Sequence, residues 1–140
     1  MNELPVDSRF GRAAFGEDPG GYHATRPAYP SWVFEVLRER CHLVPGTATF
    51  EIGAGTGLAT RPLLDQGANP LLAIEPDSRL ADYLRRSIPD TALSVTVSAF
   101  EDTTLTPAGF DLGVSATAFH WLNEGWALSK IAELLRPRGW

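Results

Sequence analysis

The sequence predicts an α/β domain: a doubly wound parallel sheet with helices on both faces. Three observations carry that reading. Short apolar runs of strand length alternate with segments of helical period, an order that pairs strands in parallel through crossover helices. The run Leu71-Leu72-Ala73-Ile74 is apolar at every position, as a strand is when helices cover both sides of its sheet. Finally, Phe50-Glu51-Ile52-Gly53-Ala54-Gly55-Thr56-Gly57 sets three glycines at alternate positions directly after an apolar stretch, which describes a strand turning tightly into a helix.

Each element has its own signals. Residues 1–28 read as an N-terminal arm, because the first 20 carry glycine, proline and scattered charge without a sustained period, and residues 29–140 read as the domain proper. Ser31 is placed to cap a helix with Val33, Val36, Leu37 and Cys41 on one face, stopped by Pro45-Gly46. A first strand follows over about 47–52. The helix after the glycine loop contains Leu58, Leu63 and Leu64, tolerates Pro62 in its first turn, and ends at Gly67. The second strand is 71–74. Asp77 or Ser78 then caps a helix carrying Leu80, Tyr83, Leu84 and Ile88, broken by Pro89-Asp90. Leu93, Val95 and Val97 alternate with Ser94 and Thr96, the pattern of a strand at a sheet edge. Residues 110–116 form the fourth strand, and a helix from near Asn123 to Leu135 turns Leu128, Ile131 and Leu135 inward.

Composition narrows the function. At 140 residues the chain is one domain with a substantial core, and 44% hydrophobic with 21% charged residues is ordinary for a globular protein. No apolar stretch reaches the roughly 20 residues that span a bilayer. Met1-Asn2-Glu3-Leu4-Pro5-Val6-Asp7 has neither a basic start nor an apolar run, so no secretory signal is read and the expected location is cytoplasmic, without a membrane partner. A formal charge of −5 with scattered arginines argues against a nucleic-acid partner. Cys41 is alone, so no internal disulfide is possible, and its place on the first helix marks a structural thiol. His23 and His42 lack partners at ligand spacing, and no metal is expected.

The glycine loop points to a nucleotide-like ligand. A helix N-terminus after such a loop presents unpaired N–H groups, and glycine lets the backbone approach closely. Dinucleotide sites use G-x-G-x-x-G with an acid about 20 residues on. Here the spacing is G-x-G-x-G, with Glu51 just ahead and Glu75 closing the next apolar run. That spacing disfavours a nicotinamide-dependent oxidoreductase. Glu75 offers two carboxylate oxygens to a vicinal diol and is placed to receive a ribose.

Taken together, Glu51 to Gly57, Glu75-Pro76-Asp77 and Phe110 to Trp121 resemble class I S-adenosylmethionine-dependent methyltransferases. Arg26-Pro27-Ala28-Tyr29-Pro30, Ala118-Phe119-His120-Trp121 and Leu135-Arg136-Pro137-Arg138-Gly139 resemble their small-molecule branch. The resemblance implies a Rossmann-like sheet with strand order 3-2-1-4, lacking the C-terminal strands of the full methyltransferase fold. An unpaired edge on strand 4 would then invite self-association. It further implies S-adenosyl-L-methionine as cofactor and a small-molecule methyl acceptor, the alternative being a non-catalytic or remnant domain that keeps the pocket.

The same resemblance assigns the site. Tyr22 and Arg26, in the arm that would cover the cofactor, face its methionine end, where the arginine pairs with a carboxylate. Glu51 favours the ligand's amino group. Gly53, Ala54, Gly55 and Gly57 form the loop, Glu75 with Pro76 holds the ribose, and Phe100 with Glu101 or Asp102 meets the adenine. Ser115 and Ala116 end strand 4 with small side chains that leave room. His120 is either the base that removes an acceptor proton or, with Trp121, a structural clasp between strand 4 and the following helix.

Overall fold

The computed structural model describes residues 16–140. Its elements run α1 (Pro19–Thr25), α2 (Ser31–Arg40), β1 (Thr47–Ile52), α3 (Thr60–Asp65), β2 (Ala68–Glu75), α4 (Ser78–Ser87), β3 (Leu93–Val97), β4 (Leu112–Val114) and α5 (Glu124–Leu134), with 3-10 turns at Phe100–Asp102 and Phe119–Trp121. The four strands make one parallel sheet in the order β3-β2-β1-β4. β3 lies at an edge, as its alternating pattern requires, and β1 is buried along its whole length.

Strand alternation sorts side chains between two cores. Phe50, Ile52 and Ile74 pack on one face with Phe100 and with Leu134 of α5. On the other face Leu71 joins Phe34 of α2 and Leu63 of α3, while Ala73 joins Leu84 and Ile88 from α4 and its end. β1 pairs with β2 so that Glu51 lies opposite Ala73 and Ile52 opposite Ile74. Glu51 and Glu75 therefore share one sheet face, at the carboxyl ends of the two central strands.

Several local expectations are corrected. Pro30, in extended backbone, occupies the cap position of α2, and Ser31 is its first helical residue with no capping bond. The inward stripe of α2 is Val33, Phe34, Leu37 and Cys41, because the bulky Phe34 takes the core position and leaves Val36 exposed. α5 turns Ala127, Ile131 and Leu134 inward, while Leu128 is 51% exposed. A small Ala127 lets the helix approach closely, and that choice rotates the buried face away from Leu128. Asn123 does cap α5, its side chain accepting from Trp126 N at 3.0 Å, and Asp77 caps α4 through Arg79 N at 2.9 Å.

β4 is shorter than the 110–116 expected. Asp111 bends the chain at its start: Asp111 Oδ2 accepts from Ala48 N at 3.0 Å, Asp111 N donates to Ala48 O at 2.8 Å, and Oδ1 pairs with Arg136 at 2.8 Å. Beyond the strand, Thr117 adopts a positive φ of 55° and turns the chain into the next loop. The outer edge of β4 is not bare. Trp140 N donates to Asp111 O at 3.0 Å, Gly113 N donates to Trp140 O at 2.8 Å, and Phe110 bridges to Leu135. The expectation of a partnerless edge is thus corrected from Phe110 to Gly113. Of the expected arm, residues 1–15 lie outside the described residues, and the rest contains α1.

Candidate functional site

The chain leaves β1 in a turn held to the neighbouring strand: Gly53 N and Ala54 N both donate to Ile74 O, at 2.8 and 3.2 Å. The three glycines serve different needs. A Cβ on Gly53 would lie 2.4 Å from the Ala118 Cβ, so this residue lets the loop after β4 close over the loop after β1. A Cβ on Gly57 would lie 2.6 Å from Leu84 Cδ1 and 2.8 Å from Ile88 Cδ1, so that position is a packing contact with α4. A Cβ on Gly55 would meet nothing within 4 Å, and Gly55 borders an open cavity.

Glu75 ends β2 at that cavity and is buried, 5% exposed. Its Oε2 accepts from Gly55 N at 2.8 Å and its Oε1 from Asp77 N at 2.9 Å. One carboxylate thereby ties the glycine loop to the turn into α4. The two oxygens of a carboxylate match the two hydroxyls of a vicinal diol.

Glu51 is 2% exposed and lies below the loop, where Thr60 Oγ1 of α3 donates to its Oε2 at 2.6 Å. Burial pushes its carboxyl up to about 8; the Thr60 hydrogen bond works against that rise, and the charge of Glu75 adds to it. The two carboxylates differ in environment: Gly55 N and Asp77 N donate to Glu75, and the Thr60 hydroxyl donates to Glu51. A carboxyl raised to about 8 is largely protonated at neutral pH.

The cavity of about 310 Å³ opens at the carboxyl ends of the strands, where open α/β sheets bind ligands. It gathers most of the expected residues: Tyr22 and Arg26 from α1 and its end, Gly53 and Gly55, Glu75 and Pro76, Phe100 and Glu101, and His120. Asp102, the alternative to Glu101, does not line it, and four more expected residues fall outside it. Glu51 and Ala54 border instead a neighbouring space of about 30 Å³ that Tyr29 and Thr117 share. Ala54 packs its methyl among Ala73, Leu84 and Ile88, and Gly57 is backed by α4. Ser115 directs its hydroxyl toward Ile52 O at 3.5 Å, so the small residue at the cavity wall is Ala116. Phe100 combines two roles that had stood as alternatives: it is 2% exposed, stacked on Phe50 at 6.2 Å, and also borders the cavity.

Other lining residues had no ligand contact assigned to them from the sequence. Ile52, Ile74 and Leu80 form an apolar floor, and Ala99, Thr117, Ala118, Trp121 and Leu122 complete the wall. The Leu80 position at the start of α4 was legible only as core. Tyr29 Oη contacts Thr117 Oγ1 at 2.8 Å and Ala116 O at 3.3 Å, joining the start of the domain, just before α2, to the loop after β4. His120 is exposed, with its ring 4.8 Å from that of Trp121. Arg26 Nε donates to Tyr22 Oη at 3.0 Å, and its guanidinium lies 5.1 Å from that ring's centre. Among the described residues no group of three His, Cys, Asp or Glu could hold a metal, and no helix is long and apolar enough to cross a membrane.

Comparison with known proteins places this geometry. Residues 50–140 match the family model of the methyltransferase domain. An uncharacterised methyltransferase of Mycobacterium tuberculosis is 30% identical over 128 residues, covering 90% of this chain and 49% of that protein. The crystal structure of an S-adenosylmethionine-dependent methyltransferase from Mesorhizobium loti superposes with a TM-score of 0.66 at 24% identity, over 75% of this chain and 49% of that one. A candidate S-adenosyl-L-methionine-dependent methyltransferase from Methanococcus maripaludis gives 0.73 at 19% identity, over 99% and 64%. At such identities the structural likeness carries the fold. The chain spans about half the length of the curated relatives it matches.

Proposed function

The chain belongs to the methyltransferase domain family, whose cofactor is S-adenosyl-L-methionine, and from that premise we propose that the cavity beside Gly55 and Glu75 holds this cofactor for transfer of its methyl group to a small organic acceptor. One observation supports the reading above the rest. A buried carboxylate at the end of β2 accepts from Gly55 N of the glycine loop with one oxygen and from Asp77 N with the other, beside a middle glycine that faces open space.

The residues present fit the group. Glu75 would accept from the ribose hydroxyls while continuing to hold Gly55 N and Asp77 N. Ile74, Leu80 and Phe100 supply apolar surface for a flat base, and Glu101, at the same rim, offers an acceptor to an exocyclic amine. Tyr22 and Arg26 enter from α1, where the guanidinium suits the methionine carboxylate. Glu51, beneath the loop, answers the positive charge of the amino group. The arm, residues 1–28, acts as a cover, and residues 29–140 as the cofactor-binding domain.

When bound, the cofactor supplies an electrophilic methyl group on a sulfonium centre. The chain's own work is then alignment and exclusion of water. His120 and Trp121 stand at the cavity wall on the side formed by the loop after β4. There His120 would accept a proton from an acceptor hydroxyl or amine as the methyl bond forms. The acceptor enters between this wall and α1.

Calorimetry with S-adenosylmethionine and S-adenosylhomocysteine tests the binding half of the proposal, with NAD as the control. Heat from the first two and none from NAD is the expected result. No heat from either, on protein shown by circular dichroism to be folded, would remove it.

A further inference from the structure

α1 buries no residue fully, so the hydrophobic effect holds it only weakly to the domain. Its register is set by polar and ring contacts. Asp18 caps it through Gly21 N at 3.0 Å, which fixes its start but ties it to nothing else. His23 makes the connection: its Nδ1 lies 2.9 Å from Thr56 Oγ1, and its ring centre is 5.4 Å from that of Tyr83 on α4. Thr56 is 1% exposed and sits between Gly55 and Gly57, in the loop that Glu75 already fixes through Gly55 N. The helix is thus referenced to the part of the molecule that shapes the cavity.

Helical geometry links this contact to the cavity. Tyr22 and Arg26 are four residues apart and share the face that lines the cavity, while His23 lies about 100° round the helix. Rotation or lifting of α1 would break the His23–Thr56 contact and withdraw the Tyr22–Arg26 pair together. His23 itself does not line the cavity. We propose that His23 is a positioning residue: by reading the hydroxyl of Thr56 it sets α1 so that Arg26 meets the carboxylate end of the cofactor. This inference rests on the cofactor reading above and adds a residue that acts through another.

The mechanism requires coupling between positions 23 and 26, which a merely structural histidine would not show. Calorimetric titration of S-adenosylhomocysteine into the 140-residue chain, His23→Ala, His23→Asn, Arg26→Ala and the His23→Ala/Arg26→Ala double variant measures it. His23→Ala should weaken binding about fivefold, the scale of one hydrogen bond. His23→Asn, whose amide can reach Thr56 from the position of Nδ1, should recover most of the loss. The double variant should bind no more weakly than Arg26→Ala alone, and the ligand-free His23→Ala protein should still be folded at the titration temperature, any fall in its midpoint staying within what one hydrogen bond to the buried Thr56 accounts for. Additive losses, or a fall in the ligand-free midpoint that accounts for the weaker binding, would overturn the inference while leaving the cofactor reading intact. No binding by the parent chain would overturn both.

Discussion

Replacing Glu51 by glutamine should remove a pH dependence that the fold creates. In the folded chain Glu51 is fully enclosed and its carboxyl is pushed up to about 8, from the ordinary value of 4.5. Below 4.5 it is protonated folded or unfolded, and burying it carries no ionisation penalty. As pH rises between 4.5 and 8 the unfolded chain loses this proton while the folded chain keeps it, so stability falls. Above about 8 both states are ionised and the loss stops growing. One retained proton corresponds to about 1.4 kcal/mol per pH unit, on the order of 5 kcal/mol across the window. The carboxylates of Asp77 and Asp111, held low by Arg79 and Arg136 respectively, act in the opposite sense. Their stabilisation is present above 3.8 and is lost as pH falls, outside the Glu51 window. Urea unfolding followed by circular dichroism at pH 5.5 and 7.5 isolates the term. The parent chain should lose roughly 2–3 kcal/mol between these pH values relative to Glu51→Gln, whose amide keeps the shape and can still accept from Thr60. Parallel pH curves for the two proteins would refute the reasoning and mean that Glu51 ionises without cost.

Further predictions follow from the same geometry. Cofactor uptake should release up to one proton near pH 7, because positive charge beside Glu51 favours its ionised form; calorimetry in buffers of different protonation enthalpy reads this directly, and Glu51→Gln should abolish it. Glu75→Ala should weaken cofactor binding by about 1.5–3 kcal/mol and also lower the melting temperature, since the carboxylate holds Gly55 N and Asp77 N; an unchanged dissociation constant would show that the ribose is not held there. Gly53→Ala should destabilise the chain by more than about 1 kcal/mol, through a φ of 71° and the Ala118 methyl, and adding Ala118→Gly should recover only the steric part, as measured by denaturation. His120→Ala should lower turnover in a methyl-transfer assay while leaving cofactor affinity unchanged; an equal loss of melting temperature would assign it to structure.

The sequence by itself determined the class of fold and several of the residues that the fold brings to one cavity. Strand and helix periods, the glycine loop and the two acids are local signals, and local signals survive without knowledge of neighbours. They gave the parallel sheet, the interior place of β2 and the meeting of Gly53, Gly55 and Glu75 at one end of it, while the strand order came from the family resemblance. Other features were decided only by tertiary contact. Gly57 reads as a ligand-facing glycine until Leu84 and Ile88 are seen behind it, and Ser115 reads as a cavity residue until its hydroxyl turns to Ile52 O. Val36 and Leu128 fit the helical periods as core residues, yet Phe34 and Ala127 set the faces that dock. The state of Glu51 depends on a hydroxyl nine residues away on another element and on Glu75 in the next strand. Periodicity tells which side of an element is apolar. What lies opposite that side, and hence the rotation of a helix, the proton on a buried acid and the grip of His23 on Thr56, is a property of packing between distant segments.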